Sequence, residues 1–206
     1  MSDDALGALI INCTLKASPE PSNTEALARI VGGQLAARGV AVDMVRAVDH
    51  DIHPGVSSDE GDGDEWPAIR RRVLAADILV MATPTWLGQM SSVAKRVMER
   101  LDALMSETGG DGRPVLYDRV GGVVVTGNED GAHSIIAHIA QGMIDVGYTV
   151  PAQAWTYWHR GPGPGPDYLD DDTGHDWAHA TGETAARNLA SVARALKERP
   201  LPAPAS

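Results

Sequence analysis

Five short apolar runs alternate with five stretches whose apolar residues recur every three or four positions, and this alternation constrains the fold most. The runs predict buried strands over residues 5–12, 40–45, 77–82, 120–126 and 149–158. The stretches between them predict helices; in the first, Leu27, Val31 and Leu35 form a stripe after a capping box from Ser22 to Glu25. This order predicts an α/β fold, a doubly wound, five-stranded parallel sheet between two helical layers.

The length and net charge of the chain limit the classes of protein to which it can belong. The chain has 206 residues, 43% of them hydrophobic and 22% charged, which predicts a single domain over residues 1–199 and a flexible Pro-rich tail over 200–206. No apolar run approaches the ~20 residues of a membrane span, and the polar, acidic first four residues argue against a signal peptide. A net charge of −11 argues against nucleic acid and membrane partners, and the lone Cys13 favours the reducing cytoplasm.

Three loops are expected to meet at one edge of the sheet, because the carboxyl ends of parallel strands form the usual ligand site. They cover residues 13–24, 83–91 and 126–132. The first carries hydroxyl groups and ends at a helix N-terminus, whose free N–H groups attract an anion such as a phosphate. The second offers the flat surface of Trp86 between Pro84 and Gly88, and the third has a polar tip between Gly127 and Gly131. Taken singly, the first and third loops are equally well explained as ordinary capped turns. In the second, Trp86 could fold inward as core, but a Trp between Pro and Gly beyond the end of a strand favours a ligand contact.

Other chemistries fit the sequence less well. A P-loop motif is absent, and no G-x-G-x-x-G follows the first strand. The Gly-Pro run at 161–166 imitates that motif weakly, but its prolines remove N–H donors. His175 and His179 lie one turn apart without an evident third ligand, so no metal site is predicted. Cys13 is better explained as a buried structural residue than as a nucleophile.

The three loops together resemble the flavodoxin-like NAD(P)H-dependent FMN reductase and quinone reductase family. The resemblance is carried by LIINCTLKASPEPSNT (9–24), ATPTWLGQMS (82–91) and VVVTGNEDGA (123–132), and it runs from about residue 6 to 158. It implies a sheet order of 2-1-3-4-5, a bound FMN and NAD(P)H as the electron donor. It implies phosphate contacts from Thr14, Lys16, Ser22, Asn23 and Thr24, ribityl and ring contacts from Pro84, Thr85, Trp86, Leu87 and Gly88, and pyrimidine contacts from Thr126, Gly127, Asn128 and Gly131.

We therefore expect an FMN-dependent NAD(P)H oxidoreductase that passes hydride or electrons through flavin N5 to a small-molecule acceptor, such as a quinone or free flavin. No catalytic side chain is required, because the flavin carries the chemistry. Backbone N–H groups of residues 127–131 are expected to stabilise the anion that forms on reduction. Tyr157, Trp158 and His159 follow the fifth strand and are candidates for an acceptor pocket, although core packing explains Trp158 equally well.

Two other functions share this topology. A flavodoxin-type electron carrier would use the acidic surface to dock to a basic redox partner and would have no substrate pocket. The Trp-rich segment 155–158 and the helix stripes instead favour a homo-oligomeric enzyme, a dimer or tetramer. A phosphoacceptor signalling domain needs acidic residues after the first and third strands, where this chain has Asn12-Cys13-Thr14 and Thr83-Pro84.

Overall fold

Strands and helices alternate throughout the computed structural model, which describes residues 5–204. The strands are β1 Gly7–Asn12, β2 Ala41–Arg46, β3 Ile78–Trp86, β4 Gln89–Met90, β5 Val120–Thr126 and β6 Trp155–Trp158. The helices are α1 Asn23–Ala36, α2 Trp66–Ala75, α3 Ser92–Leu101, α4 Ala132–Asp145 and α5 His175–Glu198. The acidic first four residues lie outside the described part of the chain, as do residues 205–206.

The parallel strands follow the order β2-β1-β3-β5-β6. With the short β4 set aside, this is the predicted order 2-1-3-4-5, so the flavodoxin-like, doubly wound sheet is confirmed. Helices α1 and α5 cover one face, where Leu27, Leu35 and Leu189 pack together, and α2, α3 and α4 cover the other. Since β5 and most of β3 are buried on both faces, they appear in the sequence as continuous apolar runs.

Two predicted strand boundaries were wrong. Strand β3 does not end at Ala82 but continues to Trp86, then turns back through Leu87 and Gly88 to pair with β4. The fifth parallel strand begins only at Trp155, because the chain before it forms a turn in which the Ala154 N–H donates to the Pro151 carbonyl oxygen at 3.2 Å; Thr149 makes an isolated bridge to Val120.

The acidic loop between β2 and α2 is fixed to α3 by a buried ion pair. A run of acidic residues such as 49–65 is usually solvated, but Asp64 is not: its side chain and that of Arg100 are both 0% exposed and meet at 2.7 Å. Asp64 also accepts backbone N–H groups from His53, Glu60 and Trp66. Burial alone would raise the pKa of Asp64, but these bonds, the one from Arg100 foremost, hold it below its ordinary range.

The Pro-rich segment after α5 touches the body of the protein. The Leu201 N–H donates to Asp118 at 2.6 Å, and the Leu201 carbonyl oxygen accepts from Arg113 at 2.7 Å. The flexible tail predicted over residues 200–206 therefore has at least one anchored residue, while its last two residues lie outside the described part.

Candidate functional site

The three predicted loops converge on one cavity at the carboxyl edge of the sheet, where strand order reverses between β1 and β3. It is lined by Thr14, Leu15, Lys16, Asn23, Thr24, Pro84, Thr85, Trp86, Thr126, Gly127, Asn128, Asp167 and Tyr168. Most predicted site residues are among them; the exceptions are Ser22, Leu87, Gly88 and Gly131. The enclosed volume of about 80 Å³ accommodates a phosphate-sized group. Larger parts of a ligand have to lie along the mouth, where Trp86 is 51% exposed.

The first loop leaves β1 through two consecutive side-chain turns. Asn12 Oδ1 accepts the Thr14 N–H at 3.1 Å, and Thr14 Oγ1 accepts the Lys16 N–H at 3.3 Å. Ser22 Oγ then accepts the Glu25 N–H at 3.1 Å as the N-cap of α1. The Ser22 hydroxyl is therefore engaged in capping, which explains why it does not line the cavity.

The acidic residue in the first turn of α1 is neutralised by arginines. Glu25 forms ion pairs with Arg29 and Arg46, and Arg46 also donates to the carbonyl oxygens of Lys16 and Glu20. Burial raises the pKa of Glu25, but hydrogen bonds from Arg46 and Arg29 outweigh it and hold the pKa below its ordinary value. The carboxylate that would repel an anion at this helix end is thus compensated, and Arg46 fixes the shape of the loop.

The second and third loops touch through their backbones. Leu87 and Gly88 form the two-residue turn of the β3–β4 hairpin, and both have positive φ angles, 52° and 70°. Gly131, with φ 119°, caps α4 so close to Gly88 that a Cβ added there would lie 2.7 Å from the Gly88 Cα. Gly88 and Gly131 therefore pack against each other rather than line the cavity. Leu87 projects into solvent and is 92% exposed.

Two groups in the cavity wall differ in their free hydrogen-bonding capacity. The Thr85 hydroxyl is buried and has no partner among the described residues, which is uncommon for a buried polar group and marks it as a candidate ligand contact. The Gly127 N–H instead donates to the Trp158 carbonyl oxygen at 3.0 Å. Of the backbone N–H groups of residues 127–131 that we expected to stabilise the reduced flavin, that of Gly127 is therefore already engaged within the protein. Opposite, Thr24 and Thr126 share a hydrogen bond of 2.8 Å.

A segment between β6 and α5 forms one wall of the cavity; we call residues 159–174 the strap. Asn128 is its main attachment, donating to Asp167 at 3.2 Å and accepting the Gly165 N–H at 2.9 Å. The Leu169 N–H donates to Asn23 Oδ1 at 3.0 Å. Asp167 and the neighbouring Tyr168 thus enter the site, although sequence reasoning missed them, as it missed Leu15.

The histidine pair considered as a metal motif serves the strap instead. The Tyr168 hydroxyl bonds to His179 Nε2 at 2.8 Å, and the Tyr168 ring stacks on His175 at 4.0 Å. Burial raises the pKa of Tyr168 and lowers that of His179. Within residues 5–204, no cluster of three His, Cys, Asp or Glu side chains is suited to hold a metal. Cys13 is fully buried, and burial raises the pKa of its thiol, so it is not an activated nucleophile.

This donor set fits FMN. Neutral hydroxyl groups, Lys16 and a helix N-terminus suit a phosphate. The Thr85 hydroxyl has no partner and suits a polar group of the ligand. Trp86 offers a planar surface for the ring system. The family model for NADPH-dependent FMN reductases matches residues 8–161, and the chain belongs to that family. The description of this family indicates FMN as the cofactor and NADPH as the electron donor of its members.

Two similar proteins are described by names that refer to modified riboflavin phosphates. The chain is 35% identical over 207 residues to 8-demethyl-8-aminoriboflavin-5'-phosphate synthase of Streptomyces davaonensis, covering 95% of this chain and 80% of the relative. A crystal structure of RosB with bound 8-demethyl-8-formylriboflavin-5'-phosphate superposes with a TM-score of 0.88 at 35% identity, covering 96% of this chain and 82% of that one.

A third similar protein is much longer than this chain. The divalent metal cation transporter MntH of Mycobacterium bovis is 45% identical over 201 residues, which is 94% of this chain but only 29% of the relative. The chain thus spans less than a third of that protein. Across residues 5–204, no helix is both long enough and apolar enough to cross a bilayer.

Proposed function

We propose that this protein oxidises NAD(P)H and passes the electrons through FMN to a small acceptor, such as a quinone or a free flavin. The observation that carries the proposal is the convergence of three loops on a cavity with a phosphate-sized polar end and an open mouth beside Trp86. An open mouth admits a small acceptor, whereas a pure electron carrier needs only an exposed flavin edge.

The residues of the chain bind and orient rather than react. Bound FMN supplies hydride acceptance from NAD(P)H and donation to the acceptor. Thr14, Lys16 and the N-terminus of α1 hold the phosphate, and Trp86 supports the ring system by aromatic contact. The Thr85 hydroxyl would donate to or accept from a polar group of the flavin, which would supply the partner it lacks.

An absorption spectrum and a coupled assay test the proposal. We expect the purified protein to be yellow or to bind FMN at micromolar concentration, and to consume NAD(P)H when menadione is supplied. A colourless protein that shows no flavin titration would contradict FMN binding. Flavin binding with no turnover of menadione or free flavin would instead favour the flavodoxin-type carrier.

A second candidate function treats the flavin as the substrate. The relative from Streptomyces davaonensis is named as a synthase of an aminoriboflavin phosphate, and RosB was crystallised with a formylated flavin phosphate. A chain of this identity can bind the same class of molecule. Mass spectrometry of the flavin recovered after turnover separates the two functions: an unchanged FMN mass supports the oxidoreductase, and an altered ring substituent supports flavin modification.

We also propose a cytoplasmic homo-oligomer, a dimer or tetramer, assembled through the face that carries the hairpin tip. Beside Leu87, a groove of about 590 Å³ runs between α3 and α4; its apolar lining is Val56, Met90, Met98, Met105 and Val146. A second copy related by a two-fold axis would cover this apolar floor, while the rim residues Lys95, Glu99, Asp102 and Asp145 would stay at the solvated edge. Analytical ultracentrifugation of the native protein and of Leu87→Asp tests this; a monomeric native protein would refute it.

A further inference from the structure

A second concave site lies at the end of β6, and we call it the aromatic pocket. It is lined by Tyr157, Trp158, His159, Gly174 and Trp177 and encloses about 190 Å³. The Tyr157 ring stacks on His159 with centroids 5.4 Å apart, and it lies 4.9 Å from the ring of Trp177. Trp177 remains 47% exposed, so core packing does not account for this cluster. Trp155 and His159 both stack on Tyr157, so the exposed indole of Trp177 is the main surface that remains for another planar ring.

The aromatic pocket adjoins the flavin cavity through a single layer of residues. Trp158 lines the aromatic pocket, and its ring meets Tyr168 edge-to-face with centroids 5.5 Å apart. Tyr168 in turn lines the flavin cavity, as does Gly127, whose N–H donates to the Trp158 carbonyl oxygen. A ring in the aromatic pocket is therefore near the flavin but separated from it by protein.

We propose that the aromatic pocket binds the adenine ring of NAD(P)H while the nicotinamide ring reaches the FMN. This inference rests on the proposed function. Hydride transfer requires the reacting atoms at about 3–3.5 Å, so the ring behind the layer of Trp158 and Tyr168 is not the reacting one. A dinucleotide carries two planar rings on one linker. The pocket is also smaller than the ~300–1,000 Å³ typical of sites that enclose a whole ligand, so it suits one ring.

A cation beside the pocket suits the charged linker between the two rings. Arg160 directly follows His159, and its guanidinium pairs with Asp171 at 2.9 Å. Both side chains are partly exposed, so this pair contributes little to stability, and the guanidinium can turn to a phosphate at small cost. Such a cation is needed because the overall charge of −11 repels a dinucleotide.

Calorimetric titration of the FMN-loaded protein with ADP-ribose tests this inference, because ADP-ribose carries the adenine ring but no nicotinamide. We expect binding to the native protein, and about tenfold weaker binding to Trp177→Ala, because the indole contributes stacking and buried area. Ile144→Ala is the matched control, since Ile144 is 55% exposed on α4 and lies outside the pocket. The FMN affinity should be the same in all three proteins.

The outcomes separate this inference from the proposed function. ADP-ribose that fails to bind, binds Trp177→Ala as tightly as the native protein, or is displaced by menadione overturns the adenine assignment. If NAD(P)H is oxidised with the same KM in Trp177→Ala and native protein, only the adenine assignment fails. If ADP-ribose binds through Trp177 but no acceptor supports turnover, only the proposed function fails.

Discussion

The unpartnered Thr85 hydroxyl gives the sharpest test of the candidate site, because replacing it has different effects with and without flavin. Its oxygen is buried in the cavity wall without a hydrogen-bond partner among the described residues, and such a group costs about 1–3 kcal/mol. Thr85→Val keeps the shape of the side chain and removes this cost. The FMN-free variant should therefore gain about 1–3 kcal/mol in free energy of unfolding, or about 2–4 °C in Tm for each kcal/mol.

Binding of FMN removes this gain in stability. In the loaded protein the hydroxyl is satisfied by the ligand, so its removal leaves the free energy of the complex nearly unchanged or slightly worse. Because the substitution stabilises the free protein but not the complex, it weakens FMN binding by the same free energy. The Kd for FMN should therefore rise by about 5- to 150-fold. Thermal unfolding of the flavin-free protein and fluorescence titration with FMN measure the two quantities.

Thr83→Val is the matched control. Thr83 lies two residues upstream on the same strand, but its hydroxyl oxygen already accepts the Ser91 N–H at 3.1 Å. Its replacement should lower the free energy of unfolding, because a buried N–H loses its partner. If Thr85→Val destabilises the free protein in the same way, or leaves the FMN affinity unchanged, the Thr85 hydroxyl does not contact the ligand. The assignment of this cavity wall to the FMN site would then be wrong.

Three further perturbations test other parts of the structure. Trp86→Ala should weaken FMN binding by about 1–2 kcal/mol through lost aromatic contact, as read from flavin fluorescence; unchanged affinity means that the indole faces elsewhere. Asp64→Asn should lower the free energy of unfolding by about 3–5 kcal/mol, because Arg100 stays buried without its counter-ion; urea denaturation measures it, and a loss under 1 kcal/mol contradicts the burial of this pair. Glu25 has a folded-state pKa below its ordinary value of 4.5, so its contribution to stability is present above that pH and is lost as the pH falls towards the folded-state pKa. Urea midpoints of the native protein should thus fall more steeply with acidification than those of Glu25→Gln, and parallel curves would exclude this role.

The sheet could be predicted because its central strands are buried on both faces. Strands β1, β3 and β5 contain almost no exposed residue, so each appears in the sequence as a short apolar run between turn signals. The loops at the carboxyl ends follow from this order, since parallel strands place their exits at one edge. Most of the candidate site was therefore accessible from the sequence.

The remainder of the site depends on contacts between distant segments. Asp167 and Tyr168 reach the cavity because the strap is hydrogen-bonded to Asn128 and Asn23. No local sequence pattern predicts these long-range hydrogen bonds. The Gly-Pro run was discounted as a poor donor, yet the Gly165 N–H is one of the attachments. The hairpin after β3 was missed because Leu87 occupies a left-handed position that Asn or Gly usually fills.

The backbone contact between Gly88 and Gly131 has a consequence for assembly. The two turns are in direct van der Waals contact, because one carbon atom added at Gly131 would collide with the hairpin. A ligand that displaces the loop after β5 therefore pushes the hairpin as well, and the hairpin ends in the solvent-exposed Leu87. If cofactor binding moves this loop and subunits associate at the hairpin, flavin loading and oligomerisation are reciprocally linked: each strengthens or weakens the other by the same factor.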